Sequence, residues 1–167
     1  MLVLVIGNHA NPVRLEVAKA LKDVGAHAGI EENQYQDMDF RRLNDSHLDW
    51  KNPTPAPFDV DVYDELYLER EDEHEVFVVS DPRMIFYIDD YLGLAKSHRG
   101  KSRILVVPSD SEAIARSLVR LHGLSLADAR RIAETYEGKI EEWCESTRRR
   151  YLTIEELDED DLRLHRR

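Results

Sequence analysis

LVLVIGNHANPVRLEVAKALKDVG, residues 2–25, decides the fold. Leu2 to Ile6 is an unbroken apolar run, the pattern of a parallel strand buried on both faces. After Gly7 the chain turns, and Asn11-Pro12 supplies a good helix start, with Asn as N-cap and Pro at the first helical position. Leu15, Ala18, Ala20 and Leu21 give the next segment an apolar side, and Gly25 provides a stop. Strand, short turn and helix in this order form the layout of a phosphate-cradling loop. The turn reads Asn8-His9-Ala10-Asn11-Pro12-Val13, with no Lys, Arg, Ser, Thr or second Gly.

Working outward, the same alternation recurs. Residues 76–79 (VFVV) and 104–107 (ILVV) read as two further buried strands. Residues 151–154 read as a short fourth strand, and the charged tail from about Glu155 as a final helical turn. Between the strands, helices are expected from Phe40 to near Trp50, over 62–75 as a solvated helix, over 84–96, and over 112–122. A long one follows from the capping box at Ser125-Leu126-Ala127-Asp128 to about Thr147. Residues 31–39 are polar and loop-like, and the Pro-rich 51–58 (KNPTPAPF) is the clearest loop. The pattern predicts one α/β domain over 1–167, a three-layer α/β/α arrangement around a mainly parallel sheet.

Composition narrows the function classes. The 167-residue chain is 42% hydrophobic and carries a formal net charge of −11, which argues against non-specific binding to nucleic acid or anionic membranes. No apolar run approaches the length of a membrane span, and the apolar start is too short, and lacks the basic leader, for a signal peptide. The single Cys144 excludes an intrachain disulfide and points to a reducing, cytoplasmic setting.

Taken together, three strand-to-helix turns resemble the sulfotransferase family, in particular its small bacterial and phage type. The resemblance begins at Gly7-Asn8-His9, where the family has G-M-H followed by R-S-G-T. It continues through 33–45 (NQYQDMDFRRLND), where Asp39-Phe40 and Leu43-Asn44-Asp45 match D-F-x-x-L-N-D. Ser80-Asp81-Pro82-Arg83 stands where the family shows K-D-P-R. Residues 104–129 resemble the segment with R-D-P and a Ser eight residues after its Arg, here Ser117, and Ile154-Glu155-Glu156-Leu157 resembles Y-E-D-L. The resemblance implies a P-loop-like fold and transfer of a sulfuryl group from 3′-phosphoadenosine 5′-phosphosulfate to a hydroxyl or amine.

The departures fall on the groups that would grip this donor. Ala10 stands in the basic position of the first loop, Asn11 in the Ser position, Pro12 in the Gly position and Val13 in the Thr position. Pro12 has no N–H to donate and Val13 has no hydroxyl. Ser80 replaces the Lys of K-D-P-R, and Ser109 replaces the Arg that would hold the 3′-phosphate. Three lost charge-assisted contacts amount to roughly 4.5–9 kcal/mol, or about three to six decades in affinity. The resemblance therefore implies a degenerate donor loop (Gly7, Asn8, His9, Ala10, Asn11, Pro12, Val13), with Ser80, Arg83, Ser109 and Ser117 as what remains. Arg14, Arg83 and Arg116 are the cations close enough in sequence to rebuild a site, although Arg116 is expected to face solvent and Arg83 suits a structural ion pair as well as a ligand contact.

Other constellations are weaker. His9, at the loop mouth, is a candidate general base or a packing residue. Asp37, Asp39 and Asp45 cluster where relatives approach substrate; Asp39 is a catalytic candidate, or simply the cap of the helix from Phe40. Asp59/Asp61 and Asp89/Asp90 offer two-acid patterns for a metal-dependent glycosyltransferase, but such pairs arise easily among 34 acidic residues. The seven histidines show no zinc spacing, Cys144 reads as a structural thiol, and Arg148-Arg149-Arg150 reads as a solvated turn. The leading expectation is a non-catalytic protein with this fold, without cofactor, reused for protein binding or assembly, in the cytoplasm or within a phage particle. The alternative is a working sulfotransferase using 3′-phosphoadenosine 5′-phosphosulfate at a rebuilt site.

Overall fold

Four parallel strands carry the architecture. In the computed structural model, which describes residues 1–29 and 36–153, they are β1 (Leu2–Gly7), β2 (Phe77–Val79), β3 (Ser102–Val107) and β4 (Leu152–Thr153), in the order β2-β1-β3-β4. Leu2 pairs with both Phe77 and Ser102, and Leu105 pairs with Leu152, so every connection is a long crossover. All six residues of β1 are buried, as a continuous apolar run at the sheet centre requires.

Six α-helices lie among the described residues: α1 (Pro12–Asp23), α2 (Met38–His47), α3 (Val60–Glu73), α4 (Ile88–Ser97), α5 (Ser111–His122) and α6 (Leu126–Ser146). Sheet alternation divides their packing. Val3, Val5, Val78, Leu105 and Val107 point to one face and meet Val17 and Leu21 of α1. Leu4, Ile6, Val79, Ile104 and Val106 point to the other, where α2 to α6 supply the larger core.

Several elements differ from expectation for identifiable reasons. The segment expected as one helix over 84–96 is divided: Pro82–Phe86 forms a 3₁₀ turn, capped by Asp81 accepting from the Arg83 N–H, and α4 begins at Ile88. Helix α3 is not solvated; its many charges conceal a face on which Tyr63, Leu66, Tyr67 and Arg70 are buried. Helix α2 starts at Met38, because Asp37 rather than Asp39 is its N-cap, accepting from the Asp39 and Phe40 amides. Residues 31–35 of the expected polar loop, Ile154, and the tail from Glu155 lie outside the described residues.

A small polar network locks α2, α3 and α4 together. The buried Asn44 Oδ1 accepts from the Tyr63 hydroxyl at 2.8 Å and from the Tyr91 hydroxyl at 3.1 Å. Both tyrosines are fully buried, so these hydroxyls depend on one acceptor. Beside it Arg70 Nε reaches Asp37 Oδ2 at 2.6 Å, tying the cap of α2 to α3. Asn44→Leu should lower stability by about 2–4 kcal/mol, the desolvation cost of two stranded hydroxyls. Tyr63→Phe, which removes one donor and leaves the acceptor satisfied, should cost about 1 kcal/mol. Urea midpoints of the two variants check the ordering.

Candidate functional site

The carboxyl ends of β1, β2 and β3 open onto a cavity of about 470 Å³. Strand order places it where the connections from β1 and β3 depart to opposite sides, the crevice in which open parallel sheets bind ligands. Its wall comes from the β1–α1 turn (His9, Ala10, Pro12), the first turn of α1 (Arg14), Gln36, α2 (Arg41, Asp45), Trp50, the 3₁₀ turn (Pro82, Arg83), and the end of α5 (Ser117, Arg120, His122).

The turn after β1 is built to close on itself. Asn8 is buried and its side-chain N–H donates to the Ala133 carbonyl at 2.8 Å, anchoring the turn to α6. Ala10 adopts φ 58°, a left-handed value unusual for a residue with a Cβ. Asn11 caps α1 by accepting from the Val13 N–H at 3.0 Å. Pro12 offers no N–H. The first amide of α1 is thus absent and the second occupied, so this helix start is not a backbone anion cradle of the usual kind.

Charge enters instead through a side chain. Arg14 is only 2% exposed and folds back over β1; a Cβ at Gly7 would lie 3.2 Å from Arg14 Cδ. Its guanidinium donates to the Ser80 carbonyl and, at 2.9 Å, to Ser80 Oγ, while its Nε–H has no acceptor. No carboxylate among the described residues forms an ion pair with it. Burial pulls its pKa down to about 10, with Asp81 pulling the other way, so it remains a cation at neutral pH. An unpaired charge in such surroundings is expensive and calls for a counter-charge.

The other arginines are differently placed. Arg83 grips Asp81 through Nε at 2.9 Å and through its terminal nitrogen at 2.6 Å, and it also contacts Asp45. Burial pushes the Asp81 carboxyl up to about 6 against the Arg83 amide and the Arg14 charge, which leaves it ionised at neutral pH. Arg41 reaches Asp45 only at 3.9 Å, and Arg120 is exposed with no carboxylate paired to it among the described residues. Next to them His9 stacks on Trp50 with ring centroids 4.4 Å apart, and His122 packs against both rings. Burial, then the charges of Arg14, His122, Arg83 and Arg41, push His9 down to about 3.

Of the residues singled out in the sequence, His9, Ala10, Pro12, Asp45, Arg83 and Ser117 line the cavity, and Arg14 joins them. Gly7, Asn8, Asn11 and Val13 shape the turn behind the wall, and Ser80 positions Arg14. Ser109 donates to Glu137, away from the opening. Asp39 pairs with Arg70 and Arg42 and has no place at the cavity. Arg116 is exposed against Glu112. Asp59 caps α3 and Asp61 lies in its first turn, as Asp89 and Asp90 do in α4, so those acids complement helix dipoles. Burial raises the Cys144 thiol. Arg41, Arg120, His122 and the stacking role of Trp50 escaped the sequence reading; Arg120, one helical turn beyond Ser117, was the available signal.

Among the described residues no group of His, Cys, Asp and Glu is arranged to hold a metal ion, and no helix is long and apolar enough to cross a membrane. No family model, curated protein or solved structure matches the chain.

The depressed pKa of His9 has a measurable sign. The folded state keeps this ring neutral to about 3, whereas the unfolded chain protonates near 6.5, so the contribution is complete above 6.5 and is lost as pH falls toward 3. His9→Phe, which can keep the stack on Trp50, should flatten the decline in stability between pH 7 and pH 4.5. Parallel urea titrations of both proteins measure the difference.

Proposed function

We propose that the chain is a non-catalytic binding protein for a small anion, held by arginine side chains at the carboxyl edge of the sheet. The observation that carries this reading is Arg14: a buried guanidinium, in no ion pair with a carboxylate among the described residues, in the wall of an open cavity. Arg41, Arg83 and Arg120 on the same wall supply further positive charge in a chain whose net charge is −11. The non-catalytic part of the proposal is supported by how the candidate acid–base groups among the described residues are placed. Asp45 is committed to Arg83, and His9 Nδ1 is buried without a partner. Among the described residues no nucleophile–base pair lines the opening. The P-loop-like sulfotransferase relationship accords with the parallel sheet, the turn after β1 and the matched segments. On this reading the donor-gripping loop has changed its means of holding an anion from backbone and hydroxyl groups to guanidinium groups.

Calorimetry at low salt tests it. Inorganic pyrophosphate should bind with a dissociation constant in the micromolar range, weakening as salt rises. Arg14→Met should weaken binding by at least about tenfold, one charge-assisted contact. The same variant should be as stable as the parent or about 1 kcal/mol more stable, because it removes an unpaired buried charge. No heat at millimolar pyrophosphate, or undiminished binding by Arg14→Met, would overturn the proposal. Adenosine 3′,5′-bisphosphate in the same titration tests the sulfotransferase relationship, and turnover with the sulfated donor would overturn the non-catalytic part.

A further inference from the structure

Resting on the anion-binding reading, we infer that the cleft selects a doubly charged phosphoryl group over a singly charged sulfuryl or carboxyl group. The inference comes from how the charges around the opening are already committed. Four guanidinium groups line it: Arg14, Arg41, Arg83 and Arg120. Two carboxylates answer them. Asp81 lies behind Arg83 in a two-point contact, and Asp45 is shared by Arg83 and Arg41. Asp81 faces Arg14 as well as Arg83, so the two acids answer two of the four charges without regard to side. Arg14 and Arg120 touch no carboxylate among the described residues, and four guanidinium groups against two acids leave two positive charges in excess.

Arg14 and Arg120, the two that touch no carboxylate among the described residues, differ in a way that suits one multiply charged ligand. Arg14 is fixed from behind by Ser80, whose carbonyl also accepts from Gln36 Nε2 at 3.1 Å, so it is preorganised deep in the wall. Arg120 is an exposed side chain on the last turn of α5, free to swing over an occupant. A phosphate monoester, with a second pKa of about 6, carries close to two charges at neutral pH and offers three acceptor oxygens. A sulfate ester of the same shape carries one charge at any such pH and leaves one guanidinium unanswered. The stacked rings of His9 and Trp50 in the same wall add an apolar face beside the charges.

Phenyl phosphate and phenyl sulfate, nearly identical in shape and different in charge, are the probes. With the full chain at pH 7.5 and low salt, phenyl phosphate should bind at least about tenfold more tightly, the factor one additional charge-assisted contact supplies. Arg120→Gln, at an exposed position where folding is not at stake, should bring the ratio down to about threefold or less while phenyl sulfate affinity changes little. Equal affinity of the parent protein for the two esters would overturn the inference and leave the anion reading standing. A preference unaltered by Arg120→Gln would overturn the assignment of the second charge to Arg120. Failure of both esters and of pyrophosphate to bind would overturn the anion reading itself.

Discussion

The arrangement at the sheet edge depends on one buried cation and on what it lacks. Arg14 enters the interior from the first turn of α1, is held by Ser80, and forms no ion pair with a carboxylate among the described residues. Proteins seldom keep a charge in such a place without an ion pair or a ligand, because desolvation costs several kcal/mol per ion even after relaxation. Much of the surrounding structure serves this side chain. Gly7 has no Cβ to obstruct it, Ser80 offers two acceptors, and Gln36 shares the same carbonyl.

This accounts for what the turn after β1 has become. A loop that holds phosphate through its backbone needs free amides and glycine. Here Pro12 removes one amide, Asn11 occupies the next, and Ala10 takes the left-handed conformation at a steric cost. Such a turn leaves little of its backbone to an anion. Anion affinity, where it exists, must come from groups reaching in from α1, α2, the 3₁₀ turn and α5, four elements that meet only in the folded chain.

The sequence showed the strands plainly, because β1, β2 and β3 are apolar runs with few competing patterns. It also showed the caps at Asn11 and Ser125, whose side chains accept from the amides that the cap positions demand. It hid the buried face of α3, where Tyr63, Tyr67 and Arg70 lie among acids and the 3.6-residue period is drowned by charge. The site was half legible. Losses in the loops could be read directly, since each concerns a residue's own chemistry. The arginines that face the cavity could not, because Arg41 and Arg120 reach it only through helix rotation and packing. An ion pair such as Arg83 with Asp45 spans 38 positions that no local pattern connects.

The parallel sheet also bears on how the chain comes to be assembled. β1 is the central strand, yet Leu2 finds its first partner at Phe77 and its second at Ser102. With synthesis at about 5–20 residues per second, the most hydrophobic stretch of the polypeptide waits several seconds for either neighbour to emerge. Loop closure over such separations is slow even afterwards. During that interval an unpaired, β-prone segment is open to association with other nascent chains, and the acidic character of the remainder then acts as a kinetic safeguard, keeping growing copies apart until the ladder can form.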